Sequence, residues 1–215
     1  MDTIYHIYNR GVEKRTIFLD DRDRIRFINS LAIFNSSDLD PNVSRTMRNT
    51  LMTGVRLQSD DQLVEIMAFC LMPNHFHLMM RARTERGISK FMQKLGTGYA
   101  NYFNLRRQRV GSLFQNKYKS VPIMDDAHFL WLPHYIHCNP AKKNDWSPTS
   151  VKGYRWSSYG EYAEDAGNKR YPEIIDTTFL SEIFETPENF RKQTQEWLKS
   201  YSESEADGTN ALIID

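Results

Sequence analysis

The chain is poor in the residues that mark a secreted or membrane-anchored protein. Its 215 residues include only two cysteines, Cys70 and Cys138. They form neither a CxxC pair nor a disulfide framework, so free thiols and a cytoplasmic setting are expected. No apolar run reaches the roughly 18 residues that a membrane helix needs. The start, Met1-Asp2-Thr3-Ile4-Tyr5-His6, has no basic segment followed by an apolar one, so no secretory signal is expected. Repeats and low-complexity tracts are missing as well. What is there, 40% apolar and 13% aromatic residues, suits a soluble globular protein rather than a disordered one. The length allows one substantial domain with an appendage, or two small domains.

Excess charge of either sign is also lacking, at a net +1, but the balance is uneven along the chain. Between Arg81 and Lys119 ten Lys/Arg face a single acid, Glu85, whereas from Glu161 to Asp215 five Lys/Arg face thirteen acids. A basic segment of this kind is either a solvated helix face or a working surface for a polyanion, and the second reading makes nucleic acid the natural partner.

Periodicity supplies the elements. Thr3–Tyr8 alternates and reads as a strand closed by Asn9-Arg10-Gly11. Asp20-Asp21 caps a helix with apolar positions Ile25, Ile28, Leu31, Ala32 and Phe34. Residues 36–61 read as an insertion without clean period. Leu63–Leu71 is a nearly continuous apolar strand, turned at Pro73-Asn74 into a strand over 74–80. Ile88, Phe91, Met92, Leu95, Tyr99, Tyr102 and Phe103 mark a helix from Gly87 to Arg107. A basic loop leads to a strand at Tyr118–Met124, and Asp125-Asp126 caps a helix ending near Asn139-Pro140. This order predicts an α+β fold, a ferredoxin-like four-stranded antiparallel sheet with helices on one face. The expected layout is a domain over 1–146, a C-terminal helical extension over 147–201 and a frayed tail over 202–215.

Two stretches carry candidate chemistry. In Pro73-Asn74-His75-Phe76-His77-Leu78, a strand turns His75 and His77 to one face and Phe76 and Leu78 to the other. Two imidazoles side by side begin a metal site, although a bare His-x-His also suits the open face of a half-buried strand. In His134-Tyr135-Ile136-His137-Cys138-Asn139-Pro140, helical spacing puts Tyr135 and Asn139 on one side. An Asn oxygen can complete a metal site begun by imidazoles, leaving positions for a phosphate oxygen and water. A tyrosine one turn earlier is then placed to attack that phosphate. Its reference pKa of about 10 means that it needs such help near neutrality.

These two stretches together resemble the HUH single-tyrosine transposases, most of all the REP-associated tyrosine transposases and their insertion-sequence relatives. Further likeness lies in Tyr5-His6-Ile7-Tyr8-Asn9-Arg10-Gly11, in Gly111-Ser112-Leu113-Phe114-Gln115-Asn116-Lys117-Tyr118 and in Tyr154-Arg155-Trp156-Ser157-Ser158-Tyr159. The resemblance covers about residues 3–163. It implies an HUH endonuclease fold and His75 and His77 as ligands of a divalent cation, Mg²⁺ or Mn²⁺, with Asn139 as third ligand. It also implies Tyr135 as nucleophile on single-stranded DNA, leaving a 5′-phosphotyrosine and a free 3′-hydroxyl. In the insertion-sequence relatives the position four after the tyrosine is usually Gln; Asn139 matches the REP-associated group. That favours a host role on palindromic or hairpin repeats, in a nucleoid-associated monomer or homodimer. Imidazole is a poor Mg²⁺ ligand, so Mn²⁺ is expected to serve at least as well.

For the DNA grip, Arg106, Arg107, Arg109, Lys117 and Lys119, interleaved with Phe114 and Tyr118, are candidates, together with Asn9 and Arg10. Tyr99, Tyr102 and Phe103 sit at core spacing; as phenols, Tyr99 and Tyr102 are the reserve nucleophiles. His6, His128, His134 and His137 read as structural. Two alternatives stand beside the enzyme: a module that binds DNA without cleaving it, and a replication or conjugation initiator. The presence of His75, His77, Tyr135 and Asn139 together favours the enzyme.

Overall fold

The computed structural model describes residues 3–36, 62–143 and 147–206. The insertion expected at 36–61 lies, but for Ser36, outside these residues. The elements run β1 (Ile4–Arg10), α1 (Asp21–Ile33), β2 (Val64–Met72), β3 (His75–Ala82), α2 (Gly87–Arg106), β4 (Lys119–Pro122) and α3 (Asp126–Cys138). After these come α4 (Pro148–Lys152), α5 (Tyr159–Ala163), α6 (Thr178–Phe184) and α7 (Pro187–Ala206). α7 thus runs five residues past the expected end of the extension, and only part of the expected tail falls outside the described residues. Both caps expected at aspartates form: Asp20 Oδ1 accepts from Asp23 N at 3.1 Å and Asp125 Oδ1 from His128 N at 2.7 Å.

The sheet has the order β2-β3-β1-β4 with every pair antiparallel. Two crossover helices on such a sheet give the ferredoxin-like arrangement. Pleating sorts the side chains. Asn9 pairs with Phe76 and Ile7 with Leu78 on one face, while Tyr8 pairs with His77 and Arg10 with His75 on the other. α1 and α2 cover the first face, where Phe27 meets Phe76 at 4.9 Å and Tyr99 at 5.0 Å. The expectation of helices on one face describes these two connecting helices. α3 adds a third layer on the opposite, histidine-bearing face, and that layer makes the site.

The C-terminal extension is sewn to the outer edge of β2. Leu71 N donates to Trp156 O, Ser158 N to Phe69 O and Asp176 N to Ile66 O, each at 2.9–3.0 Å. An exposed strand edge invites pairing with another chain, and here the protein's own segment covers it. A bulge between Ile66 and Ala68 turns the Met67 carbonyl outward, where Tyr162 donates to it at 2.6 Å. Trp156, Tyr159, Tyr162 and Phe190 accordingly join the same hydrophobic core as the sheet. Cys70 and Cys138 are buried free thiols. Among the described residues no helix is long and apolar enough to cross a membrane.

Candidate active site

The hairpin between β2 and β3 fixes the first imidazole. Its turn is anchored by Ile17 N and Phe18 N, which donate to Pro73 O at 2.8 and 3.0 Å, and by Gly11 N, which donates to Asn74 O. Asn74 Oδ1 lies 2.7 Å from His75 Nδ1. A carbonyl oxygen there selects the tautomer with the proton on Nδ1 and leaves the lone pair on the buried Nε2.

His77, two residues on, shares that face; the two rings are 5.0 Å apart and edge-to-face. His77 Nδ1 lies 2.9 Å from His6 Nε2 on the neighbouring β1. His77 Nε2 is buried and makes no hydrogen bond among the described residues. Burial, reinforced by His6, His75, Lys142 and Arg10, holds the His77 pKa well below its ordinary value, and burial pushes His6 down to about 3. Both rings are therefore neutral near pH 7, the form in which an imidazole can ligate a cation.

α3 delivers the phenol. The Tyr135 ring lies 5.6 Å from His77 and 5.8 Å from His6, edge-on to both. Trp131, one turn earlier, stacks on it at 4.6 Å, and Lys142 Nζ sits 4.5 Å from the ring centre. Trp197 and Tyr201 of α7 extend this cover. Tyr135 is 0% exposed. The phenol is thus beside the imidazoles but enclosed.

Asn139 spends the donor end of its amide on its own helix, Nδ2 donating to Tyr135 O at 2.8 Å. A cation would have to take the other end, Oδ1. Among the described residues no three His, Cys, Asp or Glu side chains converge on a metal position. The imidazole pair with its orphaned His77 nitrogen fits a divalent ion that draws its remaining ligands from oxygens other than protein carboxylates, such as an amide, a phosphate or water.

A cleft of about 320 Å³ opens beside the imidazoles, lined by Tyr8, Asn9, Arg10, Lys14, His75, His77, Gln115, Asn116, Lys117 and Lys119. It holds four cationic side chains and no acid. Of the residues expected to grip nucleic acid, Asn9, Arg10, Lys117 and Lys119 gather here. Arg106 and Arg107 do not. They clamp Asp20 and the wholly buried Asp23 at the start of α1, with contacts from 2.6 to 3.0 Å. Arg106 holds the Asp20 carboxyl below the usual carboxylate range. Arg109 donates to Asn104 Oδ1 and Ser112 O. A run of basic residues in sequence has separated into a structural clamp and a cleft lining. Arg106 and Arg107 are thus engaged in an ion-pair clamp away from the cleft, unlike Asn9, Arg10, Lys117 and Lys119.

The reserve tyrosines are committed elsewhere. Tyr99 donates to Ile17 O and Tyr102 to Asp23 Oδ1, on the face opposite the imidazoles. His134 bonds Thr194 and His137 bonds Ser158, both structural as expected. His6 has a structural role too, its Nε2 lying 2.9 Å from His77 Nδ1. The alternation of Tyr5-His6-Ile7-Tyr8 puts His6 and Tyr8 on one face, and a ferredoxin-like sheet sets β1 beside β3; the contact of His6 with His77 is set by their register.

The sheet, covered by helices on both faces, thus presents an imidazole pair to a helix-borne tyrosine. The family model described as "Transposase IS200 like" matches residues 41–139, which include His75, His77, Tyr135 and Asn139. Over that stretch, somewhat under half of its length, the chain is similar to that family. A solved structure described as "Structure of the REP associates tyrosine transposase bound to a REP hairpin" is similar over 81% of this chain and 86% of its own, with 15% identity and a TM-score of 0.44. No curated protein matches the chain.

Proposed function

We propose that this protein nicks and rejoins single-stranded DNA through a covalent 5′-phosphotyrosine on Tyr135, acting on hairpin-bearing repeats. The observation that carries the reading is the Tyr135 ring against His77, 5.6 Å away, on the sheet face that borders the cationic cleft. The family match over 41–139 supports the same chemistry.

In this reading Arg10, Lys14, Lys117 and Lys119 hold the DNA backbone and bring one phosphodiester up to His75 and His77. The Tyr135 oxygen attacks phosphorus, the bond from phosphorus to the 3′ oxygen breaks, and the proton lost by the phenol is balanced by one gained on the departing 3′-hydroxyl. The Lys142 ammonium, 4.5 Å from the ring centre, would offset negative charge developing nearby as the phosphate is attacked. His6, accepting through Nε2, would keep the His77 proton on Nδ1 and its Nε2 lone pair available. His75 and His77, with Asn139 Oδ1, would hold a divalent cation, Mg²⁺ or Mn²⁺, which when bound would supply charge neutralisation at the phosphate. Because one ester replaces another, a 3′-hydroxyl can reverse the step and join strands. Asn139, where insertion-sequence relatives usually carry Gln, favours the REP-associated kind of substrate.

A second reading has its own observation: Tyr135 is fully enclosed, as would suit a module that grips DNA without cutting it. Incubation with Mn²⁺ and a hairpin-bearing single-stranded oligonucleotide separates the two. The enzyme gives an adduct that survives denaturing electrophoresis and is absent from Tyr135→Phe, whereas binding without any adduct leaves the module.

A further inference from the structure

α2 contains two interior glycines, and they differ. A Cβ at Gly98 would meet the Phe34 ring at 2.5 Å, so close packing against α1 requires glycine there. A Cβ at Gly96 would meet nothing within 4 Å. A helix-interior glycine sacrifices about 1 kcal/mol relative to alanine, and at Gly96 no packing demands it. What Gly96 borders is a cavity of about 380 Å³ between α2 and the loop before β4.

This cavity has two kinds of wall. Phe76, Met92 and Phe114 give an apolar side, with the two rings edge-on at 6.0 Å. The exposed amides of Gln93 and Asn116 give a rim that both donates and accepts. Its size is at the lower end for small-ligand sites, about 300–1,000 Å³. Asn9, Asn116 and Lys117 line both this cavity and the cationic cleft. The two openings therefore meet around the end of β1, one on each sheet face. A polymer with charge on its backbone and flat, hydrogen-bonding rings as side groups fits both at once.

We propose that this cavity receives one unstacked nucleobase of the DNA strand whose backbone lies in the cleft, and so reads sequence next to the cleavage point. The proposal rests on the single-stranded DNA reading above. Bases stack on aromatic side chains, while amides select among base edges. Phe114 and Phe76 would take the ring, and Gln93 and Asn116 its edge.

The test uses the full chain and hairpin oligonucleotides with a randomised single-stranded flank, selected for binding. Wild type should enrich one base at one flank position, and an abasic site there should weaken binding roughly tenfold. Gly96→Leu fills the cavity with a better helix former and should keep the melting temperature. It should lose about tenfold on the selected strand, lose nothing further on the abasic one, and erase the preference at that position alone. Gln93→Ala, at an exposed position, should relax the preference with little change in fold. Unaltered affinity and preference in both variants would overturn the pocket while leaving DNA binding intact. Failure of wild type to bind any of these strands would overturn the DNA reading itself, and the pocket with it.

Discussion

His6 Nε2 stands 2.9 Å from His77 Nδ1, across two paired strands that lie 71 residues apart in sequence. A ligating imidazole is commonly oriented through its second nitrogen, and removal of such a partner costs about 10–100-fold in metal affinity. His6→Ala should therefore weaken Mn²⁺ binding by about that factor, read by titration of free Mn²⁺ without DNA. An affinity equal to that of wild type would remove His6 from the site.

The split among the basic residues predicts two different phenotypes. Lys117→Glu with Lys119→Glu should weaken single-strand binding and lower the salt slope by about 1.4, at about 0.7 for each lost phosphate contact. Arg106→Ala with Arg107→Ala should leave that slope alone and cost roughly 3–5 kcal/mol of stability, because Asp23 is then stranded in the interior. Salt titration and chemical denaturation, run on both pairs, decide. A reduced slope in the arginine pair would return those residues to the DNA surface.

Acid should unfold the protein partly through His134. It is buried against Phe184 and Phe190, bonded to Thr194 Oγ1 and adjoined by Gln193, and burial pushes its pKa down to about 4. Unfolded, it titrates near 6.5. Its contribution is complete above that pH and fades as the pH falls from about 6.5 towards 4, because only the unfolded chain takes up the proton. The loss is about 1.4 kcal/mol per pH unit. Denaturation midpoints across this range should fall less steeply for His134→Gln than for wild type. Parallel curves would show that His134 is not the group responsible.

Much of this arrangement is legible in the chain before any coordinates. Alternation at His75–His77 and the cap at Asp125 place the imidazoles on a strand face and Tyr135 on a helix, because both signals are local. What is not legible depends on long-range pairing. Nothing near Arg106 reveals that Asp20 and Asp23, more than eighty residues earlier, will claim it. Nothing near His6 reveals that its ring will meet that of His77 across the β1–β3 pair. The cover of α7 over Trp131 and Tyr135 is tertiary in the same sense, and a helical period reports only that Tyr135 faces inward.

The most direct test of the account is the identity of the residue that carries DNA. Wild-type protein, incubated with Mn²⁺ and a hairpin oligonucleotide, is digested with nuclease and protease, and its peptides are sequenced by mass spectrometry. The account predicts a 5′-linked nucleotide on the peptide containing Tyr135, absent when His75 and His77 are both changed to Ala. A nucleotide on Tyr99, Tyr102 or any other side chain would contradict it.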